Sequence, residues 1–400
     1  MSMSMSMRLA IVSRIYRPEP SAASSFLGAV ADEAVARGHR VTVLTVRPPH
    51  GLDEGTPVED VRMAPVLRDR SGYVRGYLPY ASFDVPLFFR LLFLRRPDVV
   101  FMEPPPTTGF VVRLVCALRR IPYVYDAADV WSDAAEQVTS SRLVIRVLRA
   151  TERFAMRGAR RIVTISQGVL DRIAALGVDR PAVVTGFGAD TGAFLPPADA
   201  EAEAPTEPVF LYAGTYSHWH GADIAVDGFA AFSRSTPGYT LRFIGNGSER
   251  AFLEQRAREL GVADSVEFVE TMPSSELVPH LHRAVATIAT QRPGTGYEYA
   301  FATKAYSSMA AGCPVIFAGP PNGPTGAYLD QANLEVRGGI VSGYAAESVA
   351  VAMAALAARP LSAAERRSVA DWTAERHSMA AVAGRVVDVI ESVGQTRDGR

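Results

Sequence analysis

Lys304 heads a short run, KAYSSMAAGCPVI (304–316), that reads as a helix, a glycine stop and a buried strand. A cation at a helix N-terminus opposes the helix dipole, so an anion between the two, such as a phosphate, would account for it. A solvated lysine is the plainer reading. Ser307 and Ser308 follow where a solvent-facing helix would carry better helix formers, so this small polar face is expected to lie against a ligand. Two other segments place glycines between a strand and a helix. FIGNGSE (243–249) offers Gly245 and Gly247, and LYAGTYSHWHG (211–221) offers Gly214 with Thr215 and Tyr216 behind it. Glycine there lets a backbone approach a diphosphate, and a helix start supplies N–H donors. An ordinary strand-to-helix turn carries the same signature. His218 and His220 could donate to phosphate oxygens, but two histidines with no third ligand nearby make a poor metal site. YVYDAADVWSD (123–133) ends a strand with Asp126, Asp129 and Asp133, able to orient a sugar hydroxyl, to act as a base or to cap a helix. FFRLLFLRRPD (88–98) mixes large apolar residues with Arg90, Arg95 and Arg96. That suits an interfacial stripe, or a helix packed on a sheet with a basic end.

These residues need elements to position them. The 400 residues suggest two or three domains, and 48% hydrophobic content allows a large core. A net charge of −1 gives nucleic-acid binding no electrostatic support. Cys116 and Cys313, far apart in apolar runs, are expected buried and reduced. No run reaches the roughly 18 apolar residues of a membrane span. The opening MSMSMSM lacks the apolar core of a signal peptide, so a frayed tail and a cytoplasmic location are expected. From Arg8 the chain alternates short apolar strands with helices, pauses at LPPADAEAEAPTEP (195–208) and starts the alternation again. The expectation is α/β: two doubly wound parallel sheets, binding ligands beyond the carboxyl ends of their strands. Two such sheets facing each other would make a deep cleft. Residues 364–393 read as one amphipathic helix with Val382, Val386, Val387 and Ile390 on a stripe.

An ordered set of segments then carries a resemblance. YRPEPSAAS, ADEAVARGHRVTVLT, MEPPP, DVWSD, RRIVTISQGV and FGADTGAFLP run through the first half, and YAGTYSHWHG, FIGNGSE, SVEFVETMP and TKAYSSMAAGCPVI through the second. In that order they resemble the retaining glycosyltransferases of family 4, of GT-B fold, in particular bacterial lipid-linked oligosaccharide enzymes of the N-acetylfucosamine transferase type. The resemblance implies an acceptor-binding Rossmann-like domain over 1–196, joined by 372–395, and a nucleotide-sugar domain over 197–371. It implies a nucleoside-diphosphate sugar of UDP or dTDP type as donor, held by Gly214, Thr215, Tyr216, Gly245, Gly247, Glu270, Lys304, Ser307 and Ser308, with Ser21 in the first loop. Lys304, His220 and Asp129 are the catalytic candidates. It implies no metal and no other cofactor, with N–H groups, a helix dipole and cations handling the phosphate charge. Partners would be the donor and a glycan or lipid-linked acceptor, with peripheral membrane association.

The departures are specific. Ser307 stands where the family has a ribose-binding Glu, and Tyr299 where a second acid is usual, with Glu298 one place off. Thr215 and His220 replace the Arg and the Lys or Gln of the phosphate loop. Ser21-Ala22 replaces glycines, and Phe187 replaces an Asn. Lys304 is kept. A serine carries no charge and reaches less far, so weaker ribose discrimination or a deoxyribose nucleotide is expected. A soluble small-molecule acceptor and a non-catalytic sugar-nucleotide-binding relative are the other readings.

Overall fold

The computed structural model describes residues 6–19, 21–49, 58–68, 74, 77–133, 141–186, 188, 194, 205–295 and 298–395. Most of the acidic, proline-rich linker, the first residues of the MSMSMSM start and Phe187 lie outside the described residues. The chain divides into two compact units, 1–188 with 379–400, and 189–378. The divisions fall at Gly188 and Ser378 rather than at 196 and 372. Within the first unit, Gly188 lies so close to Met379 that a Cβ there would come within 2.7 Å of its sulfur.

In the first unit, seven short strands pair in parallel: β1 (Arg8–Val12), β2 (Arg40–Val46), β3 (Asp60–Ala64), β4 (Val99–Met102), β5 (Tyr123–Ala127), β6 (Arg161–Thr164) and β7 (Ala182–Val184). Their order is β3-β2-β1-β4-β5-β6-β7, so the winding reverses between β1 and β4. Leu9 sits beside Val41 on one side and Val99 on the other. On one face Leu9, Ile11, Val43, Phe101 and Val124 pack under helix α1 (Ala22–Ala36). On the other lie α2 (Tyr77–Phe93), α3 (Pro106–Arg119) and α4 (Arg142–Gly158), with α5 (Gln167–Ala175) after β6. Gly109 of α3 lies against Tyr125 and Met102, the strand residues that alternate with Val124 and Phe101.

The second unit repeats the plan with β8 (Val209–Ala213), β9 (Thr240–Ile244), β10 (Val266–Val269), β11 (Ala286–Thr290), β12 (Val315–Ala318) and β13 (Gly339–Val341), ordered β10-β9-β8-β11-β12-β13. Its reversal lies between β8 and β11. Helices α6 (Asp223–Ser233), α7 (Arg250–Glu259), α8 (Ser274–Arg283), α9 (Lys304–Ala310), α10 (Pro324–Asn333) and α11 (Ala346–Ala358) alternate with the strands. The terminal stretch is two helices, not one. α12 (Ala363–His377) ends at Ser378, whose ψ of 153° is extended, and α13 (Met379–Gln395) follows. The predicted stripe of Val382, Val386, Val387 and Ile390 is buried in the first unit's core beside α1. Both cysteines are buried and unpaired. Among the described residues no helix is long and apolar enough to cross a membrane.

Candidate functional site

The winding reversal of the second sheet opens a cavity of about 450 Å³ beyond the carboxyl ends of β8 and β11. β8 contributes Ala213, Gly214 and Thr215, β11 contributes Thr290 and then Gln291, and α9 contributes Lys304, Ser307 and Ser308. Lys304 projects along the wall because α9 starts there. Its ammonium donates to the Tyr212 hydroxyl at 2.7 Å and to the Thr215 carbonyl at 3.5 Å, and lies 4.1 Å from the centre of the Tyr212 ring. Both partners are neutral, so the charge stays uncompensated. Among the described residues no carboxylate lines the cavity. A pocket with one ammonium and no acid favours an anion.

His220 lies on the same wall, held by a single turn of 3₁₀ helix (His218–His220). The Ser217 N–H donates to its Nδ1 at 3.1 Å, which puts the ring proton on Nε2. Burial, with the nearby Lys304 charge adding to it, pushes the imidazole pKa down to about 4. His220 is therefore a neutral Nε2–H donor at pH 7 rather than a second cation. His218 points elsewhere, 3.9 Å from Glu249. The Thr290 hydroxyl is buried with no protein partner, an acceptor and donor left for a ligand. Leu277 and Leu281 of α8 and the half-exposed indole of Trp219 add apolar wall. Phe301 completes it, stacked on Tyr306 with ring centres 4.0 Å apart.

Several residues singled out in the sequence have other duties. Gly245, at φ +140°, and Gly247 do not line the cavity. A Cβ at Gly245 would meet the Gly214 carbonyl at 2.2 Å, and one at Gly247 the Tyr216 carbonyl at 2.2 Å. They are glycines because two loops of this chain press together. Their amides are also engaged: Gly245 N–H donates to the Val269 carbonyl at 3.0 Å and Gly247 N–H to Asn246 Oδ1 at 2.8 Å. Gly214 N–H goes to the Ile244 carbonyl at 2.8 Å. Tyr216 is buried, its hydroxyl donating to the Gly245 carbonyl at 2.8 Å, so it braces the loop from behind. Glu270 is exposed and paired with Arg250. Glu298 accepts the Thr295 N–H at 3.0 Å and also that of Gly294, closing a turn outside the cavity. Ser21 caps α1 in the first unit, accepting the Ser24 N–H at 3.0 Å.

At the winding reversal of the first sheet, Ser13 and Arg14 follow β1, Glu103 follows β4, and Asp126 lies at the end of β5 just before Ala127, with Asp129 in the loop beyond. Glu103 Oε2 lies 2.9 Å from Ser13 Oγ. Burial raises its pKa to about 7, against the pull of Arg14 and of the Ser13 hydrogen bond. Asp126 is held well above the usual carboxylate range by burial and by Glu103 and Asp129. Arg14 is buried and its guanidinium lies 4.5 Å from the centre of the Tyr80 ring and 5.4 Å from that of Trp131. Asp133 is bound by Arg172 at 2.8 Å. The sequence reading passed over Glu103 and Arg14, although their place just beyond β4 and β1 was the signal. Among the described residues no three His, Cys, Asp or Glu side chains gather as metal ligands.

Comparison with known proteins matches this architecture. The family model described as "Glycosyl transferase 4-like domain" matches residues 22–188, and that described as "Glycosyl transferases group 1" matches residues 198–369. A glycogen synthase of Mycobacterium tuberculosis is 26% identical over 302 residues, covering 70% of each chain. A GDP-mannose-dependent alpha-(1-6)-phosphatidylinositol monomannoside mannosyltransferase of Mycolicibacterium smegmatis is 28% identical over 198 residues, 48% of this chain and 49% of that protein. In fold, the chain matches the Anabaena HepE structure in complex with UDP at a TM-score of 0.67 and 15% identity, covering 97% of this chain and 100% of that one.

Proposed function

The chain belongs to the glycosyltransferases of GT-B fold, and from that premise we propose that its second unit takes a nucleoside-diphosphate sugar, of UDP or dTDP type, for transfer with retention of anomeric configuration. The observation that carries this is the cavity at the winding reversal of the second sheet, which among the described residues has one uncompensated ammonium and no carboxylate. Lys304 meets the diphosphate and takes up charge as it leaves. The neutral Nε2–H of His220 and the partnerless Thr290 hydroxyl donate to sugar or phosphate oxygens. In a front-face transfer the leaving phosphate accepts the acceptor proton, so no carboxylate base is required in this cavity. Asp129, with Glu103 and Asp126, orients the acceptor hydroxyl.

The acceptor is a glycan or lipid-linked glycan of the cell envelope, met at the cytoplasmic membrane surface. The name of the M. smegmatis relative, which specifies a lipid acceptor, supports this. The test is a thermal-shift screen of nucleotides and nucleotide sugars, followed by transfer assays with lipid-linked and soluble acceptors. A shift with UDP or dTDP sugars and transfer to a lipid-linked acceptor are expected; no shift with any nucleotide overturns the reading. A non-catalytic sugar-nucleotide binder is the second reading. It draws on the missing acid at Ser307 and the engagement of Glu298 in a turn, and it predicts a shift with no turnover.

A further inference from the structure

We propose that the outer face of α2, α3 and α4 is a docking surface for an anionic lipid bilayer. The three helices lie side by side, α2 against α3 and α3 against α4. Gly109 brings α3 within a methyl group's distance of Ala155 on α4. Their outward positions are apolar in register. Val85, Phe89 and Phe93 recur every fourth residue on α2, and Phe110, Leu114 and Leu118 do so on α3. Leu143 and Val147 repeat the spacing on α4. These side chains are 40% to 79% exposed. Isolated exposed apolar residues are ordinary, but three parallel rows on touching helices form one continuous patch.

Among the described residues of these three helices, the exposed charge has one sign. The three helices carry two described carboxylates, Asp84 and Glu152, and both are buried and used internally. Asp84 accepts from the Thr108 hydroxyl at 2.7 Å, and Glu152 accepts the Trp131 and Ser132 N–H groups at 2.7 and 3.1 Å. Arg142, Arg146, Arg153 and Arg157 of α4 are exposed, as are Arg95 and Arg96 beyond α2. Elsewhere in the protein, arginines sit on carboxylates, as Arg37 does on Glu33 and Asp388, and Arg256 on Asp227. Here the contacts are backbone carbonyls: Arg96 to that of Arg120 at 3.1 Å, Arg119 to Leu91 at 2.8 Å, Arg157 to Gly177 at 2.7 Å. Near the C-terminal ends of α3 and α4, Arg113, Arg120, Arg157, Arg160 and Arg180 line a hollow of about 590 Å³ with no carboxylate among its described lining residues. That hollow, which Tyr123 and Val393 also line, offers its guanidinium groups to a phosphate. Arg90 is not part of this set, because it turns inward to the carbonyls of Thr45 and Arg62.

This chemistry selects the occupant. A net charge of −1 over the whole chain makes the arginine face a local concentration rather than a general basicity. Nucleic acid would match the charge but offers no phase for eight exposed aliphatic and aromatic side chains. A second copy meeting the same face would set arginine against arginine. A bilayer with anionic headgroups meets both demands at once, acyl chains for the rows and phosphates for the guanidinium groups. The inference adds a location to the proposed function and rests on that reading only for its purpose.

The test is flotation of the full chain with phosphatidylcholine vesicles and with vesicles in which a third of the lipid is phosphatidylglycerol. Arg146→Glu/Arg153→Glu and Leu114→Ser/Leu118→Ser are compared with the natural sequence. All four side chains are exposed, and the nucleotide-dependent thermal shift, read separately, reports an intact second unit. Binding to the anionic vesicles alone, weakened by salt, is expected. The arginine pair should lower partitioning roughly thirtyfold, at about fivefold per arginine, and the leucine pair should lower it at any salt concentration. Absence of flotation with anionic vesicles, or flotation unchanged by both pairs, overturns the proposal. So does a dimer in solution that the same substitutions dissolve, which would assign the face to a second copy.

Discussion

The Lys304 ammonium and the Tyr212 hydroxyl lie 2.7 Å apart, one from the start of α9 and the other from the buried strand β8. The tyrosine ring is fully buried, so its hydroxyl is a fixed post that holds the lysine over the cavity. A long flexible side chain is thereby ordered before any ligand arrives, and less entropy is lost on binding.

Lys304→Ala should leave the ligand-free melting temperature nearly unchanged and remove most of the shift given by a nucleotide sugar. At one hundred times the dissociation constant that shift corresponds to about 2.7 kcal/mol. Tyr212→Phe should retain binding but weaken it about fivefold, because the ammonium keeps its charge and loses its post. Calorimetric titration of both variants with UDP and dTDP sugars checks this. Undiminished affinity in Lys304→Ala would place the phosphate elsewhere.

Gly245→Ala tests the account of the glycine loop. A methyl there would lie 2.2 Å from the Gly214 carbonyl in a backbone conformation, φ +140°, that side chains disfavour. The loop carrying Gly214 and Thr215 must shift, so a loss of about 3 kcal/mol of stability is expected, with a weaker nucleotide shift besides. Chemical denaturation measures the first effect independently of ligand. A tolerated alanine would mean that the loops separate freely.

The doubly wound plan was legible because most strands are short apolar runs, whereas β3, with Asp60 and Arg62, does not read as one. The place of Lys304 at the start of α9 was legible for a related reason: a glycine stop and a buried strand follow its short helix. The glycines misled because glycine reports that something comes close without saying what. At Gly245 and Gly247 it is this chain's own carbonyls. Glu270 misled because nothing in its strand reveals Arg250 waiting on the neighbouring helix. Glu103, Arg14 and Thr290 gain meaning only once the strand order is known, since each lies at a winding reversal assembled from distant segments. Likewise the outward turn of Phe110, Leu114, Leu118, Leu143 and Val147 shows only in the packing.

Ser307 bears on the choice of nucleotide. It lines the cavity with a side chain shorter than that of glutamate and without its charge. Ser307→Glu should raise the preference for UDP over dTDP by about tenfold, one charge-assisted hydrogen bond's worth. Competition of UDP and dTDP against a bound nucleotide sugar gives the ratio. An unchanged ratio would remove Ser307 from the ribose.

The pH dependence of stability isolates His220. Its folded pKa, about 4, lies below the ordinary 6.5, so the folded state disfavours the imidazolium. Between those values the unfolded chain binds more protons, and stability rises with pH. The contribution is complete above pH 6.5 and is lost as pH falls towards 4. It is on the order of 2 kcal/mol once partial exposure is allowed for. Glu103 acts in the opposite sense: its raised pKa of about 7 makes stability fall as pH climbs from about 4.5 to 7. A single melting curve mixes the two, so the informative quantity is the difference between the natural sequence and His220→Gln. Glutamine cannot titrate, so the natural protein's advantage should shrink steadily from pH 7 to pH 4. Nucleotide affinity at pH 7 should fall only modestly in the variant, since a neutral donor replaces a neutral donor. A difference that stayed level across this range would mean that His220 titrates normally, and with it would go the assignment of the ring proton to Nε2.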